Sequence, residues 1–192
     1  PQVPLTGTIA AVLDWTAKDS SAANEEVSLP EEVLAICHNL NEMAIPHIHT
    51  TSWNTAKTYP MVAVAGVLEQ NSLTSSERTA LATYVQNGGT LLMWRTADSN
   101  LLTSLGVTAS STFSGTDKRL VTFNTQTGDG VVRYIDDDVE VNWQMEYWSM
   151  GTTREYTTGS ATAIATWTSG KAAIVRSNVG TGRTYIFGWR LK

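Results

Sequence analysis

The chain carries one cysteine, Cys37, in 192 residues, so no disulfide can form within it. No histidine follows residue 49; the three present are His38, His47 and His49. No strand-like run is followed by Gly-x-Ser-x-Gly or Gly-x-Cys-x-Gly, the sharp turn that presents a hydroxyl or thiol nucleophile. Basic residues are few and scattered. With 13 Lys and Arg against 18 Asp and Glu, the net charge is −5. That balance argues against nucleic acid and against an anionic membrane surface as partners, since both call for a basic face. The longest apolar runs, such as MVAVAGVL (61–68), are far too short to span a bilayer. Internal repeats and low-complexity tracts are missing, and no Asn-x-Ser/Thr acceptor for N-glycosylation occurs. The chain starts at Pro1 with no recognisable signal peptide, as expected of a processed product or an excised domain. Abundant Ser and Thr with little Lys is the composition of exported proteins, so a secreted or periplasmic location is expected.

What is present is a regular alternation of buried strands and capped helices in the first half. TIAAVLD (8–14) is an apolar run ending in Asp14 and reads as a central strand. A helix is expected over about Leu29–Ala44. Ser28 and Glu31 have capping-box spacing, Pro30 suits a first turn, and Val33, Ile36, Leu40 and Met43 share one face. IPHIHT (45–50) is a short second strand, and YPMVAVAG (59–66) is a third whose continuous apolar character implies cover on both faces. Thr74 and Glu77 form another capping box, Leu81, Tyr84 and Val85 give the next helix its apolar stripe, and Gly88 ends it in a left-handed turn. TLLMW (90–94) is the fourth strand, and 51–58 is a loop or a single helical turn. The order implies parallel strands joined by helical crossovers.

Beyond residue 97 the pattern changes. NLLTSLGV suggests a short helix and its exit. RLVTFN, VVRYI, VEVNWQMEYW, ATAIATW, KAAIVRSNVG and RTYIFGW then read as strands separated by TGDG (127–130), TSG (168–170) and NVGTG (178–182). The last two form a hairpin. Gly180-Thr181-Gly182 precedes a strand rather than a helix, which makes it hairpin geometry and not a phosphate loop, with Arg183 structural. No linker marks a boundary, so these strands extend the same sheet or cover one end of it.

Two segments carry a resemblance. YVQNGGTLLMW is a helix stopped by Gly-Gly before a buried strand, and NVGTGRTYIFGW is a Gly-x-Gly-Arg hairpin ending in an aromatic strand. In this order and spacing they resemble the class I glutamine-amidotransferase-like superfamily. The likeness is to its degenerate members attached to glycosidases and polysaccharide deacetylases, and to ThuA-like proteins. It covers residues 8–96 and 161–190. It implies a three-layer αβα sandwich with a mostly parallel, flavodoxin-like sheet, extended here by antiparallel C-terminal strands. The expected organisation is one domain over 1–192, with a parallel βα core at 1–97 and a β-rich extension at 98–192. Active amidotransferases of that superfamily place a cysteine on a strand–helix elbow, with a histidine and a glutamate late in the chain. This chain departs on each count. Cys37 falls inside the first helix near its apolar face and reads as a small buried hydrophobe; His38 beside it points elsewhere on the helix.

Seven tryptophans remain to be placed. Trp15, Trp53 and Trp94 follow or end the first, second and fourth strands, and so fall at the carboxyl edge, where open parallel sheets bind ligands. Asp14, His49, Arg95 and Asp98 belong to the same edge. Indole faces with a few polar groups suit sugar rings, which stack through C–H faces while their hydroxyls hydrogen-bond. Trp143, Tyr147 and Trp148 make a second aromatic patch. Core packing is the competing reading for any one of these. His47 and His49 lie on one strand face and could join Asp14 around a metal, or simply hydrogen-bond at a strand end. Asp136, Asp137, Asp138 and Glu140 are the densest acidic run, but they lack the calcium-loop pattern and read as a solvated turn. No catalytic residue, metal or cofactor is expected. The leading expectation is a non-catalytic carbohydrate-binding or accessory domain, with a polysaccharide or oligosaccharide and a neighbouring catalytic domain as partners. Alternatives are a small hydrolase, possibly metal-assisted, using Asp14 or His49, and a structural oligomerisation domain.

Overall fold

The computed structural model describes residues 7–18, 29–113, 120–124, 127–129, 140–142 and 153–189. Ser28, the VVRYI segment, the Asp136–Asp138 run and the patch of Trp143, Tyr147 and Trp148 lie outside them. The first half runs β1 (Ala10–Asp14), α1 (Leu29–Glu42), β2 (His47–Thr50), α2 (Trp53–Ala56), β3 (Met61–Ala65), α3 (Ser75–Gln86), β4 (Thr90–Trp94) and α4 (Ser99–Ser104). The elements that follow among the described residues are strands: β5 (Val107–Thr112), β6 (Leu120–Phe123), β7 (Glu140–Asn142), β8 (Arg154–Thr158), β9 (Thr162–Trp167), β10 (Ala172–Val179) and β11 (Gly182–Phe187).

The eleven strands among the described residues belong to one sheet, in the order β2-β1-β3-β4-β11-β10-β9-β6-β7, with β8 pairing β10 off this path and β5 pairing β8. The first five in that order are parallel, because β11 returns from the C-terminal hairpin and inserts beside β4, Arg183 opposite Thr90 and Phe187 opposite Trp94. The strands beyond β11 are antiparallel. The α/β architecture expected from the sequence is the one observed.

Helices cover both faces of the parallel part, and strand alternation sorts the residues between them. Ala10, Val12, Ala63 and Ala65 point to one side, under Ile36 and Leu40 of α1. Ala11, Leu13, Val62 and Val64 point to the other, under Ala56 of α2 and Leu81 and Val85 of α3. That double burial is why β1 and β3 read as unbroken apolar runs. The Thr74–Glu77 capping box is formed in both directions, and Gly88 closes α3 at φ 103°. Helix α1 is shorter than the expected Leu29–Ala44. It stops at Glu42 because Ala44 adopts a left-handed φ of 53°, which turns Met43 out to solvent and off the apolar face. The C-terminal hairpin turns at Gly180-Thr181, and the Thr181 amide donates to the Gln86 carbonyl, tying it to the end of α3. Strands β5 and β8 were not foreseen. Their sequences, VTASST and REYTT, are too polar to signal burial, and they pair at the branch of the sheet.

Candidate site at the carboxyl edge of the sheet

After β1 the chain crosses to β2 on one side; after β3 it crosses to β4 on the other. The gap between the carboxyl ends of β1 and β3 is therefore the topological switch point, where sheets of this kind receive ligands. Asp14 and Trp15 leave β1 at this point, and Gly66 leaves β3. The two backbones nearly touch. The Trp15 amide donates to the Ala65 carbonyl at 2.9 Å, and the Gly66 amide donates to Oε2 of Glu32, a buried carboxylate in the first turn of α1.

A cleft of about 610 Å³ opens there, lined among others by Asp14, Trp15, Thr16, Lys18, Trp53 and Glu77. Trp15 and Trp53 meet with ring centroids 6.1 Å apart. The Lys18 ammonium lies 5.3 Å from the Trp15 ring centroid and pairs with Glu77 Oε1 at 2.8 Å. Lys18 and Glu77 thus cancel each other's charge. Asp14 is the cleft's other carboxylate, with His49 Nε2 3.4 Å from its Oδ2. Burial alone pushes the Asp14 carboxyl up, but hydrogen bonds from Thr16 Oγ1 (2.6 Å) and the Thr16 amide (3.1 Å), with the His49 ring, hold it below the ordinary carboxylate range. Asp14 is thus an anionic hydrogen-bond acceptor at neutral pH, beside two indoles.

The remaining expected residues sit elsewhere on the edge. Trp94 does not join Trp15 and Trp53. As the last residue of β4 it alternates to the α1 face, stacks on Phe187 of β11 at 5.6 Å, and is buried. Arg95 follows at φ 49°, its amide donating to the Phe187 carbonyl; its side chain is 1% exposed, near Glu69 at 3.7 Å. Arg154 of β8 reaches the same Glu69 at 2.8 Å, and the Tyr156 hydroxyl donates to the Thr96 carbonyl. Asp98 is fully buried, caps α4 through the Leu101 amide and accepts Arg78 Nε through both oxygens at 2.9 Å. The corner after β4 is thus a buried ionic network rather than an open surface. His47 turns inward to the Ile45 carbonyl at 3.0 Å. Among the described residues no three His, Cys, Asp or Glu side chains converge as a metal would require, and Cys37 is half-buried in α1 with its thiol pushed up by burial.

Lys18 and Glu77 belong to the cleft but were not foreseen as site residues. Glu77 was legible in principle. A capping glutamate in the first turn of a crossover helix must lie at the carboxyl edge, since that is where such helices begin. Lys18 sits in a polar loop with no local signal.

No family model matches this chain, and no curated protein matches its sequence significantly. Solved structures do match its fold. The β-galactosidase Gan42B of G. stearothermophilus superposes with a TM-score of 0.62 at 16% identity, over 97% of this chain and 28% of that one. The carbohydrate deacetylase Agd3 superposes at 0.59 and 17% identity, over 95% of this chain and 29% of that one. A cytoplasmic protein of Salmonella typhimurium LT2 superposes at 0.55 and 12% identity, over 87% of this chain and 78% of that one. The chain therefore spans less than a third of the length of the two carbohydrate-acting proteins, and the likeness is one of fold.

Proposed function

We propose that this chain is a non-catalytic, carbohydrate-binding accessory domain of a larger, exported glycan-processing protein, of the degenerate glutamine-amidotransferase-like kind. The observation that carries the reading is the switch-point cleft, in which paired indoles and an ionised Asp14 stand where a nucleophile would be needed for chemistry. A sugar ring would stack on the partly exposed Trp53, which the buried Trp15 backs, while its hydroxyls donate to Asp14; no bond is made or broken. Two features support the larger context. The fold recurs as under a third of a β-galactosidase and of a carbohydrate deacetylase, and the Ser/Thr-rich, Lys-poor composition suits export. Tethering to a catalytic neighbour would raise the modest affinity expected of one cleft.

The test is binding to immobilised polysaccharides and a soluble oligosaccharide panel, read by tryptophan fluorescence and calorimetry. Trp53→Ala and Asp14→Asn are each expected to weaken binding by about tenfold or more. Unchanged binding in both variants, or no binding by the wild type, would overturn the proposal. A small hydrolase is the second reading, and the 3.4 Å contact of Asp14 with His49 is what favours it. Release of acetate or reducing sugar by the purified chain, abolished in His49→Ala, would put it first.

A further inference from the structure

A second cavity, a groove of about 1040 Å³, starts at the same Trp53 and runs away from the cleft just described. Its origin lies in the length of α2. The β2–β3 crossover would ordinarily lay a full helix over β1, next to α3. Here α2 is one turn of 4 residues, about 6 Å at ~1.5 Å per residue, while α3 has 12 residues and runs about 18 Å. The layer beside α3 is cut short, and the chain from Lys57 to Pro60 forms the far wall of the gap. At one end stands Trp53, edge-on to Tyr84 at 5.5 Å; at the other lie Gly88 and Gly89, by the amino ends of β3 and β4.

We infer that this groove binds a linear, uncharged glycan, continuing the path of the chain held at Asp14 and Trp53; the inference rests on the glycan-binding reading of that cleft. Three properties select the occupant. The lining joins aromatic rings (Trp53, Tyr59, Tyr84) to short neutral donors and acceptors on α3 (Ser76, Thr79, Thr83) and at its end (Asn87), the pairing that sugar faces and hydroxyls complement. Among the described residues no carboxylate lines it and Lys57 is its only charged residue, so a polycation finds no counter-charge and a polyanion finds just one along its length. The face α3 turns to the groove carries hydroxyls and an amide where a docking helix from another protein would require Leu or Ile. The size stands at the top of the ~300–1,000 Å³ range of small-molecule sites, room for several linked rings and more than one sugar needs. Trp53 lines both cavities, so a chain stacked on it is led from one into the other.

The experiment is a length series. Neutral β-1,4-linked gluco-, manno- and galacto-oligosaccharides, from disaccharide to hexasaccharide, are titrated against the intact chain, with hexagalacturonate as the charged control. At least one neutral series is expected to tighten about tenfold or more between disaccharide and hexasaccharide. The double variant Thr79→Met/Thr83→Met removes two hydroxyls and fills the groove while keeping good helix formers on α3. It is expected to abolish that gain and leave disaccharide binding unchanged. Asp14→Asn is expected to weaken short and long chains alike. Equal affinity at all lengths, a length gain that survives the double variant, or tighter binding of hexagalacturonate would each overturn the groove assignment, with the edge cleft left standing. If no oligosaccharide of any length binds, the glycan-binding reading itself falls and the groove assignment with it.

Discussion

Gly66 lets the ends of β1 and β3 approach closely at the candidate site by having no side chain. Its φ is 105°, and a Cβ there would stand 2.6 Å from the Trp15 carbonyl oxygen. Alanine would combine left-handed backbone strain with a clash against rigid main chain. Gly66→Ala is expected to cost about 2 kcal/mol or more in urea denaturation, and to weaken glycan binding because Trp15 must move. Charge acts at single residues too. Asp14, Glu77 and Glu155 all titrate below their ordinary range. In each, burial pushes up and is overcome: at Asp14 by Thr16 and then His49, at Glu77 by Lys18 and Thr74, and at Glu155 by Lys171, Ser169 and Ser111. A carboxyl with a lower pKa folded than unfolded adds stability above its unfolded value, near 4, and loses it as the pH falls through the folded one. Thermal unfolding followed against pH should therefore show a falling melting temperature below about pH 4. Glu155→Gln should flatten that acid limb while lowering stability at neutral pH.

Helix α3 shows what a local motif contributes when it is also part of a site. The Thr74 hydroxyl accepts the Glu77 amide, and the Glu77 carboxylate accepts the Thr74 amide at 2.9 Å, while its other oxygen holds Lys18 over Trp15. Thr74→Ala removes the first of these bonds and is expected to cost about 1 kcal/mol, measured by chemical denaturation. Because Glu77 is then less firmly placed, Lys18 should lose part of its protection from acetylation. The same helix carries Tyr84, whose hydroxyl donates to the Tyr59 carbonyl at 2.8 Å and whose pKa burial pushes up to about 12. Its ring thus stays neutral and fixed between the groove and the core.

The assembled fold depends on its last strand more than on the order of synthesis suggests. Strand β11 lies between β4 and β10 and joins the parallel core to the antiparallel extension. A chain truncated before Ala172 would expose one whole edge of β4, strip Phe187 from Trp94 and leave the Arg95 amide without its carbonyl partner. It is expected to show no cooperative thermal transition by circular dichroism and no dispersed amide spectrum. Residues 1–97 are therefore not expected to fold alone, even though they contain β1 to β4 and the three helices that connect them. That follows from the edge-strand rule: a central parallel strand deprived of a neighbour presents unpaired backbone groups and uncovered apolar surface.

The run of strands and helices up to residue 94 was legible because its signals are local: apolar runs, capping boxes at fixed spacing, and a glycine stop. Asp14, Trp15, His49 and Trp53 could be assigned to the carboxyl edge for the same reason, since the carboxyl ends of strands in a parallel sheet all point one way. What no local signal carries is which strand ends remain open to solvent. Trp15 and Trp94 look alike along the chain, each an indole at or just past a strand's end. Both are buried, but Trp15 packs beside Trp53 at the rim of a cleft, whereas Trp94 lies on the other face of the sheet, stacked on Phe187. That difference comes from Phe187, which a hairpin carries to β4 from the far end of the chain. Burial is set by what packs from outside the segment, and that is decided only when distant strands pair.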